Sequence, residues 1–194
     1  MPETAWGFES LRPHLSRRDL AWHVRVYSDP LQHAAIAAVV VAPLAVQTDR
    51  RVLATAVAAA LVIDVDHAVA ARSFRPRHTT ALNRRPPTHS LLAATAAGAL
   101  ISAAAGPAHG WAAFAALGSH LLHDAGDDAA PTPVLWPWRP ARQLGRRAQI
   151  AGTLALTTAS ALAGSAAARA RSRAAAGSYD ADAGAWPRTA SARS

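Results

Sequence analysis

Apolar residues in this chain gather into five blocks, at positions 31–46, 52–63, 91–105, 111–122 and 150–168, with polar and arginine-bearing stretches between them. Each block is apolar without period-two alternation and is long enough for a helix, so the pattern predicts an all-α protein. The blocks approach the roughly 20 residues of a membrane crossing, and the expected architecture is a polytopic membrane helical bundle of four to five helices. The short polar link at 47–51 predicts antiparallel neighbours on either side of it. Residues 71–87 carry five arginines and three prolines and read as a loop. Pro86-Pro87-Thr88 reads as a stop followed by a helix N-cap, which puts His89 in the first turn of the third helix. Gly106-Pro107 separates the third block from the fourth.

The flanks differ in character. Residues 1–30 mix Trp6, Phe8, Leu11, Leu15, Leu20 and Trp22 with arginines, as an N-terminal cytoplasmic or interfacial segment would. They lack an early apolar core and a small-residue cleavage site, so this segment is expected to stay on the cytoplasmic side. Residues 31–168 form the expected membrane domain. Residues 169–194, rich in Ala, Ser, Arg and Gly without periodicity, are expected to be a disordered tail.

Composition narrows the chemistry. There is no cysteine, and all 20 basic residues are arginine. Disulfides and thiolate metal sites are therefore excluded. The net charge of +8 suits either nucleic acid or an anionic membrane surface. The arginines cluster between the apolar blocks, as in loops beside a membrane, and not along a polar helix face; nucleic acid is not the expected partner, and membrane lipids are.

Against this background the second block ends in Asp64-Val65-Asp66-His67. A carboxylate at the centre of a membrane helix costs about 2.5–3.5 kcal/mol on insertion scales, so something must compensate it. Two carboxylates and an imidazole this close suit a divalent cation such as zinc. In a helix, Asp64 and His67 share a face, and Asp66 points away towards a second partner or a second metal. At the end of the fourth block His120 and Asp124 stand four apart on one face, and His123 lies on the same stripe. If the N-terminus is cytoplasmic and each block crosses once, His33 begins the first crossing on the inner side. Asp64, Asp66 and His67 end the second there, His89 begins the third, and His120 and Asp124 end the fourth. Antiparallel alternation alone thus brings four helices' polar residues to one level. His14, His23, His78 and His109 are read as surface or loop histidines, with His78 a weak supporting candidate.

The order of these motifs resembles the membrane-bound metal-dependent hydrolase family (YdjM-like, also described as LexA-binding, inner-membrane-associated). The resemblance spans about residues 30–165. Asp64, Asp66 and His67 match its Pro-Asp-x-Asp-His element, with Ile63 in place of the proline. Arg85, Thr88, His89 and Ser90 match His-Arg-Gly-x-Thr-His-Ser, with Arg84 in place of the first His and Pro86 in place of Gly. Ser119, His120 and Asp124 match Ser-His-x-x-x-Asp, which is also similar to the ligand pair of helical zinc-dependent phospholipases C. The resemblance implies an inner-membrane location and a hydrolase.

The expectation is a multi-pass metal-dependent hydrolase of the inner (cytoplasmic) membrane, acting on an ester or phosphoester by a metal-activated water at the cytoplasmic face. The metal would be divalent, with zinc the first choice and one to three ions in all. His33, Asp64, Asp66, His67, His89, His120 and Asp124 are the candidate ligands. Asp64 or Asp66 is the candidate general base, Asp64 entering as catalytic residue together with Arg85, which could hold an anionic group bidentately. The alternative is a non-enzymatic, membrane-anchored protein with a structural or degenerate metal site, whose arginine loops bind a regulatory protein or lipid. A soluble, nucleic-acid-binding helical bundle and a metal transporter are weaker rivals.

Overall fold

The computed structural model describes residues 17–80, 82, 85–126 and 131–184, and the described residues form helices without a strand. The helices are α1 (Arg17–Gln47), α2 (Arg51–Val62), α3 (Val65–Ala70), α4 (Pro76–Thr79), α5 (Leu91–Ala105), α6 (Pro107–Gly126) and α7 (Arg146–Gly184). Since α2 and α3 run on almost continuously through Ile63 and Asp64, both right-handed helical in backbone, there are five long rods and one short turn. Among the described residues, three stretches are long and apolar enough to cross a membrane: Ser28–Gln47, Arg51–Ala70 and Arg146–Ala176.

The first span is longer than its apolar block, because α1 starts at Arg17 and passes residue 30 unbroken, with Pro30 and Pro43 inside it. The other end of the chain differs from expectation too. Helix α7 runs on to Gly184, through sixteen residues read from sequence as unstructured. Alanine explains the difference: a stretch without amphipathic periodicity still holds helical backbone when its residues have the highest helix propensity.

Helix α6 is the axis of the bundle, and α1, α2, α5 and α7 all pack against it. Twelve of its twenty residues are buried, most of them alanine, glycine or serine. Small side chains let backbones approach closely, which is how apolar helices associate where no water is available to drive them together. At the α5–α6 crossing a Cβ on Gly98 would lie 2.9 Å from Cβ of Phe114 and 3.0 Å from the Gly110 carbonyl oxygen. The turn between these helices needs a left-handed residue, and Gly106 supplies it at φ 97°. The core proper joins Val40, Val41 and Leu44 of α1 with Val52, Ala56 and Ala60 of α2 and Ala112, Ala115 and Ala116 of α6.

This topology has one functional consequence. The ends of α2 and α6 and the beginnings of α5 and α7 lie at one end of the bundle, level with Asp29 and His33 of α1. The α1–α2 and α5–α6 turns lie at the opposite end, where His109 Nδ1 pairs with Thr55 Oγ1 at 2.8 Å and Arg171 donates to the Gln47 carbonyl.

Candidate metal centre

His89, His120 and Asp124 are buried, 0–1% exposed, and converge at the crowded end of the bundle. Asp124 Oδ2 lies 3.4 Å from Nε2 of His89 and 3.4 Å from Nε2 of His120. Asp64 Oδ1 approaches the same two nitrogens, at 3.7 Å and 3.3 Å. These separations exceed the roughly 2.9 Å of a direct N–H···O bond. They are close to the about 3.3–3.4 Å that separates two ligands of a tetrahedral ion held at about 2.0–2.1 Å. Consistently, Nε2 of His89 and of His120 are buried without a hydrogen-bond partner. Buried imidazole nitrogens are normally satisfied, and a lone pair left facing two carboxylates fits a cation between them.

The outer nitrogens of both rings are tied down. His120 Nδ1 stands 3.1 Å from the carbonyl oxygen of Ala60, which can only accept, so Nδ1 carries a proton and, in the neutral ring, Nε2 holds the lone pair. His89 Nδ1 stands 2.9 Å from Asp66 Oδ2, and Thr88 Oγ1 donates to the same oxygen. A ligand imidazole whose far nitrogen is held by a carbonyl or carboxylate is the usual arrangement at protein metal sites. Asp66 thus orients His89, which is the second partner its position on the helix called for. His67 Nδ1 lies 2.8 Å from Asp66 Oδ1 and 3.9 Å from Asp64 Oδ1. Its ring meets His89 edge-on, with centroids 4.7 Å apart.

His33 lies on the other flank. Its ring stacks on His120 at 3.7 Å between centroids, and its Nε2 is 3.4 Å from Asp124 Oδ1 and 3.7 Å from Asp29 Oδ1. The candidate ligand atoms therefore fall into overlapping groups: His89, His120 and Asp124 at the centre; His33, Asp64 and His120 beside it; Asp64, His67 and His89 on one flank; and Asp29, His33 and His123 on the other. Within each group the atoms lie within 4.8 Å of one another. Arg85 Nη1 contacts Asp124 Oδ2 at 2.8 Å and so balances part of the buried negative charge. On His89, burial opposes the charged form, but the carboxylates of Asp64, Asp66 and Asp124 outweigh it, and the imidazole titrates above its ordinary value.

All eight residues singled out from sequence, His33, Asp64, Asp66, His67, Arg85, His89, His120 and Asp124, thus meet in one cluster. One local expectation changes. The N-cap of α5 is Ser90, whose hydroxyl accepts from the Ala93 N–H, so His89 precedes the helix and is not in its first turn. The Thr88 hydroxyl, the cap read from sequence, is engaged by Asp66 instead. Asp29 was missed, although its position four residues before His33 on a helix could have signalled it. His78 pairs with Ser73 Oγ at 2.9 Å. His14, Arg84, Asp127, Asp128 and the side chain of His23 lie outside the described residues.

An all-helical bundle with three candidate membrane spans and a buried His/Asp cluster able to hold a metal ion defines the class as a membrane protein with a candidate metal centre. Residues 29–179 match the model of the YdjM inner membrane protein family, and the chain belongs to that family. No curated protein and no solved structure matches the chain.

Proposed function

We propose that this protein is a multi-pass, membrane-bound metal-dependent hydrolase acting on an ester or phosphoester at the cytoplasmic face. The observation that carries the reading is the pair of buried, unpartnered Nε2 atoms of His89 and His120 facing Asp64 and Asp124. A divalent cation held there, zinc by preference for this nitrogen and oxygen set, would lower the pKa of a water towards 7 and polarise the substrate oxygen.

The chain's own residues supply the rest. Asp64 is 30% exposed, against 16% for Asp66 and 1% for Asp124. It is the carboxylate that solvent reaches, and its role is to take the proton from the attacking water. Asp66 is committed to His89 and Thr88 and keeps the imidazole in register. Arg85, 12% exposed and beside Asp124, can turn its guanidinium to the non-bridging oxygens of a phosphoester. The water oxygen then bonds to phosphorus, the ester P–O bond breaks, and the leaving alkoxide takes up the proton that Asp64 removed from the water.

The cytoplasmic placement is supported by arginine. The metal end carries Arg72, Arg75, Arg77, Arg85, Arg139, Arg142, Arg146 and Arg147, whereas the other end carries Arg50, Arg51, Arg169, Arg171 and Arg173. The non-enzymatic alternative, a regulator- or lipid-binding protein with a degenerate centre, draws on Arg85, which already offsets Asp124 without an ion. Hydrolysis of a generic phosphodiester by the detergent-purified protein, abolished by chelation and restored by zinc, supports the enzyme. Saturating metal with no turnover of any ester or phosphoester rejects it.

A further inference from the structure

Beside the metal centre, between the first turns of the α1 and α7 spans, lies a groove of about 560 Å³. Its polar end is formed by Asp29, His123 and Arg146, and its walls continue over Ile36, Ile150 and Leu154. We propose that this groove is a lateral port through which a phosphate-bearing lipid leaves the bilayer, so that the substrate of the hydrolase reading, on which this inference rests, is a phospholipid-like phosphoester.

The gradation of the groove is that of an amphiphile. Arg146, Ile150 and Leu154 follow one another at four-residue steps on α7, so the wall passes from cation to hydrocarbon over about 12 Å of helix. Ile150 and Leu154 are 51% and 62% exposed. Their open side belongs to two candidate spans, and in a bilayer the medium around these would be acyl chain and not water. A lipid entering from the bilayer would therefore keep its acyl chain against a matching surface while its headgroup moves into the groove. The depth agrees. The 126–146 loop at this end displays Trp136 and Trp138, 43% and 70% exposed, and exposed tryptophans sit at the headgroup level of a bilayer. A volume of this size lies within the range of ligand sites of about 300–1,000 Å³.

The groove also adjoins the chemistry, because Asp29 and His123, which line it, form with His33 the flanking group of candidate ligands. His123 meets His33 edge-on at 4.7 Å between ring centroids, and His33 stacks directly on His120. A phosphate held by Arg146 beside His123 would thus lie against the flanking Asp29, His33 and His123 group, with its tail pointing down between α1 and α7. Gln149 Nε2, 3.1 Å from His123 Nδ1, fixes that ring at the polar end of the groove.

The test is equilibrium binding of dansyl-labelled phosphatidic acid to the full-length protein in dodecyl maltoside, after metal removal so that no turnover occurs. Saturable binding is expected, displaced by unlabelled phosphatidic acid and not by equal concentrations of glycerol 3-phosphate, inorganic phosphate or diacylglycerol. Arg146→Gln and Leu154→Trp, both at exposed positions, should each weaken it by about tenfold, and Arg147→Gln should leave it unchanged. Displacement by glycerol 3-phosphate as effectively as by lipid assigns a soluble phosphoester and overturns the port. So does the absence of saturable binding, or binding indifferent to both groove variants. Because the readout needs no metal, lipid binding without hydrolysis on zinc addition would reject the hydrolase alone, while zinc-dependent cleavage of soluble phosphoesters without lipid binding would reject the port alone.

Discussion

His120 Nδ1 faces the carbonyl oxygen of Ala60 at 3.1 Å, a contact between α6 and α2 across sixty residues of chain. The contact holds the Nδ1 proton on the outer side of a buried imidazole and turns Nε2 towards Asp64 and Asp124. His89 is prepared in the same way by Asp66. In the neutral rings the two nitrogens that face the centre both hold lone pairs, which become available to a cation as the proton kept there by the carboxylates is released.

The holding role of Asp66 is separable from ligation. Asp66→Asn keeps the shape but removes the charge behind His89, and metal affinity should fall by about 10–100-fold with the helical content intact. Asp64→Asn removes a ligand and should cost more. Competitive titration with a chromophoric chelator ranks the two, and equal affinities for Asp66→Asn and the parent protein would mean that Asp66 does not orient His89.

Metal uptake should depend on pH in a stated direction. His89 titrates above its ordinary value of 6.5, because neighbouring carboxylates outweigh burial. In the metal-free protein the stabilisation from protonated His89 is full below pH 6.5 and is lost as pH rises through its elevated folded-state value. An incoming cation must displace that proton, so affinity should increase as pH rises through and above 6.5, with proton release on binding. Calorimetry in buffers of different ionisation enthalpy counts the protons, and uptake independent of pH from 6 to 8 would contradict the assignment.

On the proposed reading Arg85 serves to bind an anionic substrate group and not to hold the ion. Arg85→Lys retains a charge near Asp124 but loses the fork that two phosphoryl oxygens require. Turnover should fall by roughly tenfold or more, with metal content unchanged. A parallel fall in bound metal would show instead that Arg85 serves to assemble the centre.

The α5–α6 crossing should be intolerant of added volume. A Cβ at Gly110 would lie 2.6 Å from the Gly98 carbonyl oxygen, which is backbone and cannot swing aside. Gly110→Ala should therefore destabilise the folded protein by about 1–3 kcal/mol, and Gly145→Ala, with open space around it, should not through contact. Thermal unfolding in detergent compares them.

The convergence of His33, Asp64, His89 and His120 was legible because it follows from the alternation of helix direction alone. The identity of each oxygen's partner was not. Thr88 and Ser90 are both competent N-caps two residues apart, and only the tertiary approach of Asp66 engages the Thr88 hydroxyl and leaves the cap to Ser90. Asp29 was hidden by its surroundings: it lies among arginines and aromatics that read as an interfacial segment, and only the helix that continues through Pro30 carries it to His33. The extension of α7 past Arg169 was hidden because alanine-rich helix shows no apolar periodicity to read.

The central claim is that a cation neutralises these converging groups. Elemental analysis of the detergent-purified, full-length protein and of His120→Ala tests it most directly. At least one divalent ion per folded chain in the parent, lost or strongly reduced in His120→Ala, is the predicted result. Metal at background level after zinc loading, or equal amounts in both proteins, would contradict it.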